Sequence, residues 1–165
     1  MKLKVTAFWL VVLAALFMFL QEYSKFHFFF IEQSQLFQFT GEYISEKLAM
    51  PGGFALTLSE FLVQFFIYPY AGAGITAGLL LLTGLGMRGI VRRIASDTNC
   101  FLLYLIPVVL IMFLHFDFNY LVFGTIAFNM MLCALYLCFC ISTDKWRMIA
   151  EIIITPLLYG LAGSV

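Results

Sequence analysis

The sequence predicts an all-α, polytopic membrane protein with about five transmembrane helices and two amphipathic helices at the membrane interface. Of its 165 residues, 64% are hydrophobic and 11% are charged, whereas an average soluble protein carries roughly 25% charged residues. The mean hydropathy of +1.03 agrees with this composition. So few charged groups cannot cover a surface in contact with water, and we therefore expect most of the chain to lie in a lipid bilayer.

The five spans follow from the lengths of the apolar runs, because a helix needs about 20 residues to cross roughly 30 Å of hydrocarbon. The predicted spans cover residues 5–20, 67–87, 100–114, 120–141 and 148–165. The first run follows two lysines, as in a secretory signal, but no small-residue cleavage site comes after it. We interpret it as an uncleaved signal anchor, and we expect residues 1–165 to form a single membrane domain.

Basic residues near the ends of the spans predict the orientation, since Lys and Arg stay on the cytoplasmic side. A cytoplasmic N-terminus places most of them inside, namely Lys2, Lys4, Arg88, Arg92, Arg93, Lys145 and Arg147. Only Lys25 and Lys47 then lie outside. The sequence thus predicts a bacterial inner-membrane protein with a periplasmic loop over residues 21–66. Residues 160–165 carry no charged or aromatic anchor, so we expect the N-terminal part of a longer protein.

The loop over residues 21–66 is much longer than the other connections, and long segments that do not cross the bilayer often carry function. Residues 31–48 follow a helical period. One face is apolar, with Leu36, Phe39, Tyr43, Ile44 and Leu48, and the other is polar, with Gln35, Gln38, Glu42, Ser45 and Glu46. This pattern predicts an amphipathic helix that lies in the plane of the interface.

A second helix is predicted over residues 54–66, after a break at residues 50–53 where proline and two glycines stand together. Its polar residues Thr57, Glu60 and Gln64 fall on one narrow stripe, because they are three and four residues apart. In the simpler interpretation this stripe faces the lipid headgroups. In the functional interpretation Glu60 and Gln64 line a cleft.

Ionisable groups at membrane depth are candidates for function, because an unpaired charge there is costly. The candidate catalytic residues are Glu22, Glu32, Glu60, His115 and Asp117. His115 and Asp117 form either a solvated turn or an acid and base that face the loop over residues 21–66. Glu151 is expected to pair with Arg147, four residues before it.

Two features of the spans predict helix packing rather than ligand binding. Gly74 and Gly78 are four residues apart, with Ala73 beside them, and small residues at this spacing let membrane helices approach closely. Asn129 is an amide within an apolar run, and we expect it to bond to a neighbouring helix.

Several function classes are not indicated. No basic arm or recognition motif predicts a nucleic-acid partner. Neither a phosphate-binding loop nor a nucleophile elbow occurs, and we expect no cofactor. The cysteines are Cys100, Cys133, Cys138 and Cys140. They lack supporting histidine or carboxylate ligands, so we expect reduced packing residues and no metal site.

Residues 30–40, 51–53 and 60–65 resemble the start of an uncharacterised family of multi-pass membrane proteins from Bacteroidota. The resemblance extends over the chain and implies longer members with further spans and a distal soluble part. It implies no catalytic residues.

The order of a first span, a long outer loop with interfacial helices and further spans also resembles the C-type membrane glycosyltransferases. That resemblance implies an acidic residue after the first span that contacts the acceptor or a metal, and by position it would be Glu22 or Glu32. The chain lacks the acidic pair of that class, because Tyr23 follows Glu22 and Gln33 follows Glu32.

Two hypotheses follow, and they leave open whether the protein is an enzyme. The first is a membrane module whose outer amphipathic helices form a docking or bracing surface, for a partner protein or for further membrane helices. The second is the N-terminal part of a glycosyltransferase-like enzyme that uses a lipid-linked sugar on the outer face. The missing acidic pair favours the module. Transport is a weaker third alternative, since the spans lack midplane charges and broken helices.

Overall fold

The structure, a computed structural model, describes residues 2–94 and 101–163. These residues form helices without any strand. The helices are α1 (Lys2–Tyr23), α2 (Lys25–Ser34), α3 (Gly41–Leu48), α4 (Gly53–Val63), a 3₁₀ turn (Gln64–Ile67), α5 (Ala71–Ile94), α6 (Phe101–Leu114), α7 (Val122–Cys140) and α8 (Asp144–Ala162). The all-α prediction is confirmed over this part of the chain. Cys100 and residues 164–165, which belong to the predicted third and fifth spans, lie outside the described residues.

Among the described residues, three helices are long and apolar enough to cross a membrane. They are Lys4–Tyr23, Ala71–Ile94 and Val122–Cys140. α6 has only 14 residues, which is about 21 Å of helix. α8 has 19 residues but carries four charged side chains in its first eight residues. The structure therefore supports three of the five predicted spans by length and composition, and the count of five stays a prediction.

The long helices alternate in direction. The contacts that define their directions are Trp9 with Gly84, Phe17 with Tyr70, Trp9 with Tyr104, Phe19 with Phe116, Thr83 with Asn129, Gly89 with Tyr136, and Phe123 with Gly163. α1, α6 and α8 therefore run one way, and α5 and α7 run the other way. This alternation brings the end of α1, the start of α5 and the α6–α7 turn to one side of the molecule.

The short helices α2, α3 and α4 and the 3₁₀ turn lie on that side, and we call residues 25–67 the cover layer. Its central helix is α4, which packs against α3, α7 and α8 and buries Ala55, Ser59 and Val63. α2 packs against the 3₁₀ turn and α5, where the Phe28 ring contacts the Phe66 ring and leaves no room for a side chain at Gly72. The cover layer is thus part of the hydrophobic core rather than a loose loop.

The predicted helix over residues 31–48 is wrong, because α2 ends at Ser34 and α3 begins at Gly41. Thr40 caps α3, and its hydroxyl oxygen accepts a hydrogen bond of 3.4 Å from the Tyr43 amide. In the intervening segment the Phe37 ring packs against Phe61 of α4. Tertiary packing therefore outweighs the helical period there, and α2 begins before the predicted element.

The predicted break before the second helix is confirmed. Gly52 has a φ of +80°, a left-handed conformation that glycine adopts without strain. A side chain at Gly53 would overlap the carbonyl oxygen of Lys47. The helix predicted over residues 54–66 is present as α4, which continues directly into the 3₁₀ turn.

The close helix approaches on α5 are not at the predicted glycines. Gly78 has open space where a Cβ would lie, and at Gly74 the nearest atom, in Phe17, would be 3.9 Å away. The tightest positions are instead Gly72 and Gly84, and the Cβ of an alanine at position 84 would come within 2.6 Å of the Trp9 ring. The small side chains of Ala73 and Ala77, beside the predicted pair, are fully buried.

The amide of Asn129 joins α7 to α5 as predicted. Its Nδ2 donates to the carbonyl oxygen of Leu79 at 3.1 Å, and its Oδ1 accepts from the Thr83 hydroxyl at 3.1 Å. The predicted pair of Arg147 and Glu151 is not formed, because Arg147 pairs with Asp144 at 3.4 Å. The three described cysteines are free thiols.

Candidate functional site

Glu60 is the most buried carboxylate of the five candidate residues, with 7% of its surface exposed. Tyr43 and Lys47 of α3 are four residues apart and present their side chains to it from one helix face. The Tyr43 hydroxyl donates to Oε2 of Glu60 at 2.6 Å, and Nζ of Lys47 donates to Oε1 at 2.8 Å. Both carboxylate oxygens are therefore occupied, and the three side chains fasten α3 to α4.

The protonation of the two donors agrees with this geometry. Burial raises the pKa of Tyr43, and its hydrogen bond to Glu60 raises that pKa further. The hydrogen bond to Glu60 raises the pKa of Lys47, although burial opposes the effect. At neutral pH Tyr43 is thus a neutral donor and Lys47 a cation, which suits a structural ion pair more than a free catalytic base.

The other two residues of the polar stripe also form hydrogen bonds within the protein. Gln64 donates to the carbonyl oxygen of Phe37 at 2.9 Å, and Thr57 donates to the carbonyl oxygen of Gly53 at 2.6 Å. For Glu60 and Gln64, the simpler interpretation, in which the polar stripe faces lipid headgroups, is therefore wrong. These two side chains instead hold α3 and the 35–40 segment in place.

A cleft of about 640 Å³ opens between the cover layer and the turn that joins α6 to α7. It is lined by aromatic, amide and charged side chains, among them Phe30, Gln35, Tyr43, Lys47, Glu60, Phe118 and Asn119. The side-chain oxygen of Gln35 is buried and lacks a hydrogen-bond partner within the described residues. This oxygen is an acceptor that a ligand or partner in the cleft could satisfy.

A pair of buried histidines lies beside this cleft. His115 is 1% exposed, and its Nε2 is 2.9 Å from the Thr125 hydroxyl, which also lies 3.2 Å from the Tyr120 hydroxyl. Burial lowers the pKa of His115 to about 4. The ring of His27 packs on Phe118 at 5.0 Å, and its nitrogens have no partner among the described side chains.

Burial also lowers the pKa of His27, while the nearby Asp117 carboxylate opposes the effect. Both imidazoles are therefore neutral at neutral pH. His115 and His27 are close enough to influence each other, since His27 contributes to the lowered pKa of His115. Both rings are buried at the α6–α7 turn, which contains His115 and places Phe118 against His27.

A family model matches residues 1–165. The chain belongs to DUF6057, a family of unknown function. This finding confirms the expected membership of an uncharacterised family. Searches of curated proteins and of solved structures find no match.

In this DUF6057 chain, the five candidate residues do not converge on one cavity. Only Glu60 lines the cleft. Glu22 is exposed and Glu32 is half-buried, and neither forms an ion pair or side-chain hydrogen bond in the described part of the chain. His115 points into the protein. Asp117 is exposed and accepts hydrogen bonds from Asn119 at 2.9 and 3.2 Å, which fits the simpler interpretation of this residue as part of a turn.

Sequence reasoning did not identify four site residues of the DUF6057 chain, namely His27, Gln35, Tyr43 and Lys47. Tyr43 was grouped with the apolar face of a longer helix. The spacing of Tyr43 and Lys47 was a usable signal, because residues four apart share a helix face. Within residues 2–94 and 101–163, no group of three His, Cys, Asp or Glu side chains is placed to hold a metal ion.

Proposed function

We propose that this chain is a multi-pass module of the bacterial inner membrane whose cover layer lies on the outer face and braces the spans. In this topology α1, α5, α6, α7 and α8 cross the bilayer, with α6 and α8 supported by their neighbours. The alternating directions of the five helices support this count. The distribution of basic residues supports a cytoplasmic N-terminus and a periplasmic cover layer.

The outward faces of the long helices support contact with lipid. Large apolar side chains there are more than half exposed, among them Leu10, Val11, Leu110, Phe113, Ile152 and Ile153. A water-soluble protein seldom exposes so much contiguous apolar surface. A bilayer would cover these side chains at no desolvation cost.

The single observation that carries the bracing role is the position of Glu60, held by Tyr43 and Lys47 at 2.6 and 2.8 Å. It fixes α3 on α4, and α4 in turn packs on α7 and α8. A second contact lies at the break between α3 and α4, where the amide of Gly52 donates a hydrogen bond to the carbonyl oxygen of Gly160 at 3.0 Å. The cover layer thereby links the end of α8 to the start of α7.

The cleft supports a docking role for the same layer. Its aromatic wall and the unpartnered oxygen of Gln35 suit a partner segment that supplies a hydrogen-bond donor. The glycosyltransferase alternative has less support from the geometry. Both oxygens of Glu60 are occupied, and Glu22 and Glu32 do not line the cleft.

Cysteine labelling tests the proposed topology. In a chain whose native cysteines are replaced by serine, Ser34→Cys and Lys145→Cys are treated in intact cells with a reagent that does not cross the membrane. We expect labelling at position 34 and none at position 145 until the cells are opened. The reverse pattern would place the cover layer in the cytoplasm.

Limited proteolysis tests the bracing role. Chymotrypsin cuts after aromatic residues, and the exposed Phe39 lies in the segment that α4 holds. We expect Glu60→Gln to speed cleavage after Phe37 and Phe39, while Glu46→Gln, on the exposed face of α3, leaves the rate unchanged. Equal cleavage rates in the two variants would contradict the bracing role.

Two other variants separate the module from the enzyme. In the intact gene product, Glu22→Gln or Glu32→Gln that removes a cell-surface glycan without lowering the protein level would favour the transferase. An unchanged amount of glycan in both variants would contradict the transferase and favour the bracing module.

A further inference from the structure

A groove of about 910 Å³ runs between α5, α7 and α8. α8 contributes Ile154, Leu157, Leu158 and Leu161, which the spacing of three and four residues puts on one helix face. Leu58 and Leu62 of α4 lie at the end of the groove beneath the cover layer. The groove is therefore a long apolar channel that is roofed at one end and runs toward the opposite side of the molecule.

The groove is open sideways, where the bilayer would lie in the proposed topology. Leu82, Leu137 and Leu157 in its walls are 55, 59 and 59% exposed. Asn129 is its main polar lining residue, and that amide already donates to the carbonyl oxygens of Leu79 and Thr125 at 3.1 and 3.0 Å. Because no unsatisfied polar group of this amide faces the groove, the occupant there is apolar.

The end of the groove away from the cover layer is basic. Gly89 of α5 and Tyr136 of α7 line it, and Arg93 continues the line of Gly89 one turn further along α5. The Arg93 guanidinium lies 5.8 Å from the centre of the Tyr136 ring. Arg92 and Arg93 are exposed, and neither forms an ion pair with any residue in 2–94 or 101–163.

We propose that this groove binds an anionic phospholipid, with an acyl chain along α5, α7 and α8 and the phosphate beside Arg92 and Arg93. A molecule with a long apolar part and a negative end matches both the walls and the charge of the groove. Basic pockets at the cytoplasmic end of membrane helices recognise such headgroups. The inference rests on the membrane insertion proposed above and is independent of the bracing role.

Lipid-dependent stability of the whole chain tests this proposal. The protein is purified in an uncharged detergent, and its melting temperature is followed while phosphatidylglycerol or phosphatidylcholine is added. We expect wild type to bind phosphatidylglycerol about tenfold more tightly than phosphatidylcholine, because the choline cation of phosphatidylcholine offsets the phosphate charge that the two arginines attract. Native mass spectrometry should show one retained anionic lipid per chain.

Two variants separate the headgroup from the groove. The double variant Arg92→Gln with Arg93→Gln should lose the preference for phosphatidylglycerol, and Leu82→Trp, which fills the groove, should weaken binding of both lipids. The matched controls are Lys4→Gln with Lys145→Gln, on the same side, and Leu10→Trp, on the outer face of α1. All six positions are exposed, so the variants should fold and melt like wild type without added lipid.

The proposal would be overturned if both groove variants bound phosphatidylglycerol and phosphatidylcholine as wild type does. A lipid-free dimer in native mass spectrometry would also overturn it and would assign the groove to a second copy of the chain. Cysteine labelling at positions 34 and 145 is unaffected by either result, so a failure here is distinct from a failure of the proposed topology.

Discussion

Nζ of Lys47 lies 2.8 Å from Oε1 of Glu60, and this ion pair joins α3 to α4 across the turn at Pro51. The side chains are 24 and 10% exposed, respectively. Because the pair is partly buried, solvent screens it less than it screens a salt bridge at the surface. Its contribution to the free energy of unfolding should therefore be measurable. The same carboxylate also accepts from Tyr43, which makes Glu60 the residue on which the position of α3 depends.

A double-mutant cycle measures the coupling of this pair. We expect Lys47→Met and Glu60→Gln each to lower the free energy of unfolding by roughly 1 to 3 kcal/mol, because each leaves a partly buried polar group with fewer partners. The double variant should be less destabilised than the sum of the singles. Chemical unfolding in detergent micelles provides the values, and strict additivity would show that the two side chains act independently.

The buried histidines predict a loss of stability in acid. Burial lowers the pKa of His115 from its ordinary value of 6.5 to about 4, so between these pH values the unfolded chain binds a proton that the folded chain does not. The stabilisation is therefore complete above pH 6.5 and decreases as the pH falls toward about 4. The loss is at most about 3 kcal/mol, and the lowered pKa of His27 acts in the same direction.

Melting temperatures between pH 4.5 and 8 check this dependence. His115→Gln should flatten the curve, whereas Asp117→Asn, which removes a charge that favours protonated His27, should leave the contribution of His115 in place. A wild-type curve as flat as that of His115→Gln would show that His115 is protonated in the folded protein at pH 6.

Two glycines of α5 should respond in opposite ways to alanine. Gly84→Ala places a Cβ 2.6 Å from the Trp9 ring and 3.1 Å from Val108, so we expect a loss of roughly 1 to 3 kcal/mol from overpacking. Gly78→Ala meets no atom within 4 Å, and its better helix propensity should stabilise by up to about 1 kcal/mol. Unfolding in micelles measures both, and a neutral Gly84→Ala would contradict the packing of α1 on α5.

Asn129 should contribute to the contact between α5 and α7. Asn129→Leu removes its bonds to the Leu79 carbonyl and the Thr83 hydroxyl, and hydrogen bonds between membrane helices average roughly 0.6 kcal/mol each. We expect a loss of about 1 kcal/mol, against little change for Cys133→Ala on the same helix. A Leu variant as stable as wild type would show that apolar packing alone holds α5 to α7.

Periodicity and apolar length predicted the parts of the fold that depend on local sequence. α1, α5 and α7 are apolar over enough residues to be recognised as long helices. The break before α4 was predicted from Pro51, Gly52 and Gly53, and Gly52 adopts a left-handed backbone there that other residues adopt less readily. Asn129 was predicted to bond across helices because a buried amide in an apolar run needs a partner.

Local preference does not predict the structure where distant contacts compete with it. Residues 35–40 have a helical pattern, yet Phe37 packs on Phe61 and its carbonyl accepts from Gln64. The helical period groups Tyr43 with an apolar face. It does not show the hydrogen bond of the Tyr43 hydroxyl to Glu60, because Glu60 is 17 residues away in the sequence. Sequence spacing alone does not show which residues of different helices meet.

An all-helical chain with apolar segments of membrane-spanning length is predictable from the sequence, because those properties follow from composition and from the repeat of a single helix. Three features are visible only in the folded protein: Glu60 is held by Tyr43 and Lys47, His27 and His115 are buried beside one cleft, and Gly84 rather than Gly78 is a tight position. These outcomes depend on how helices pack across tens of residues. Packing is set by the shapes of both partners, which a local pattern does not contain.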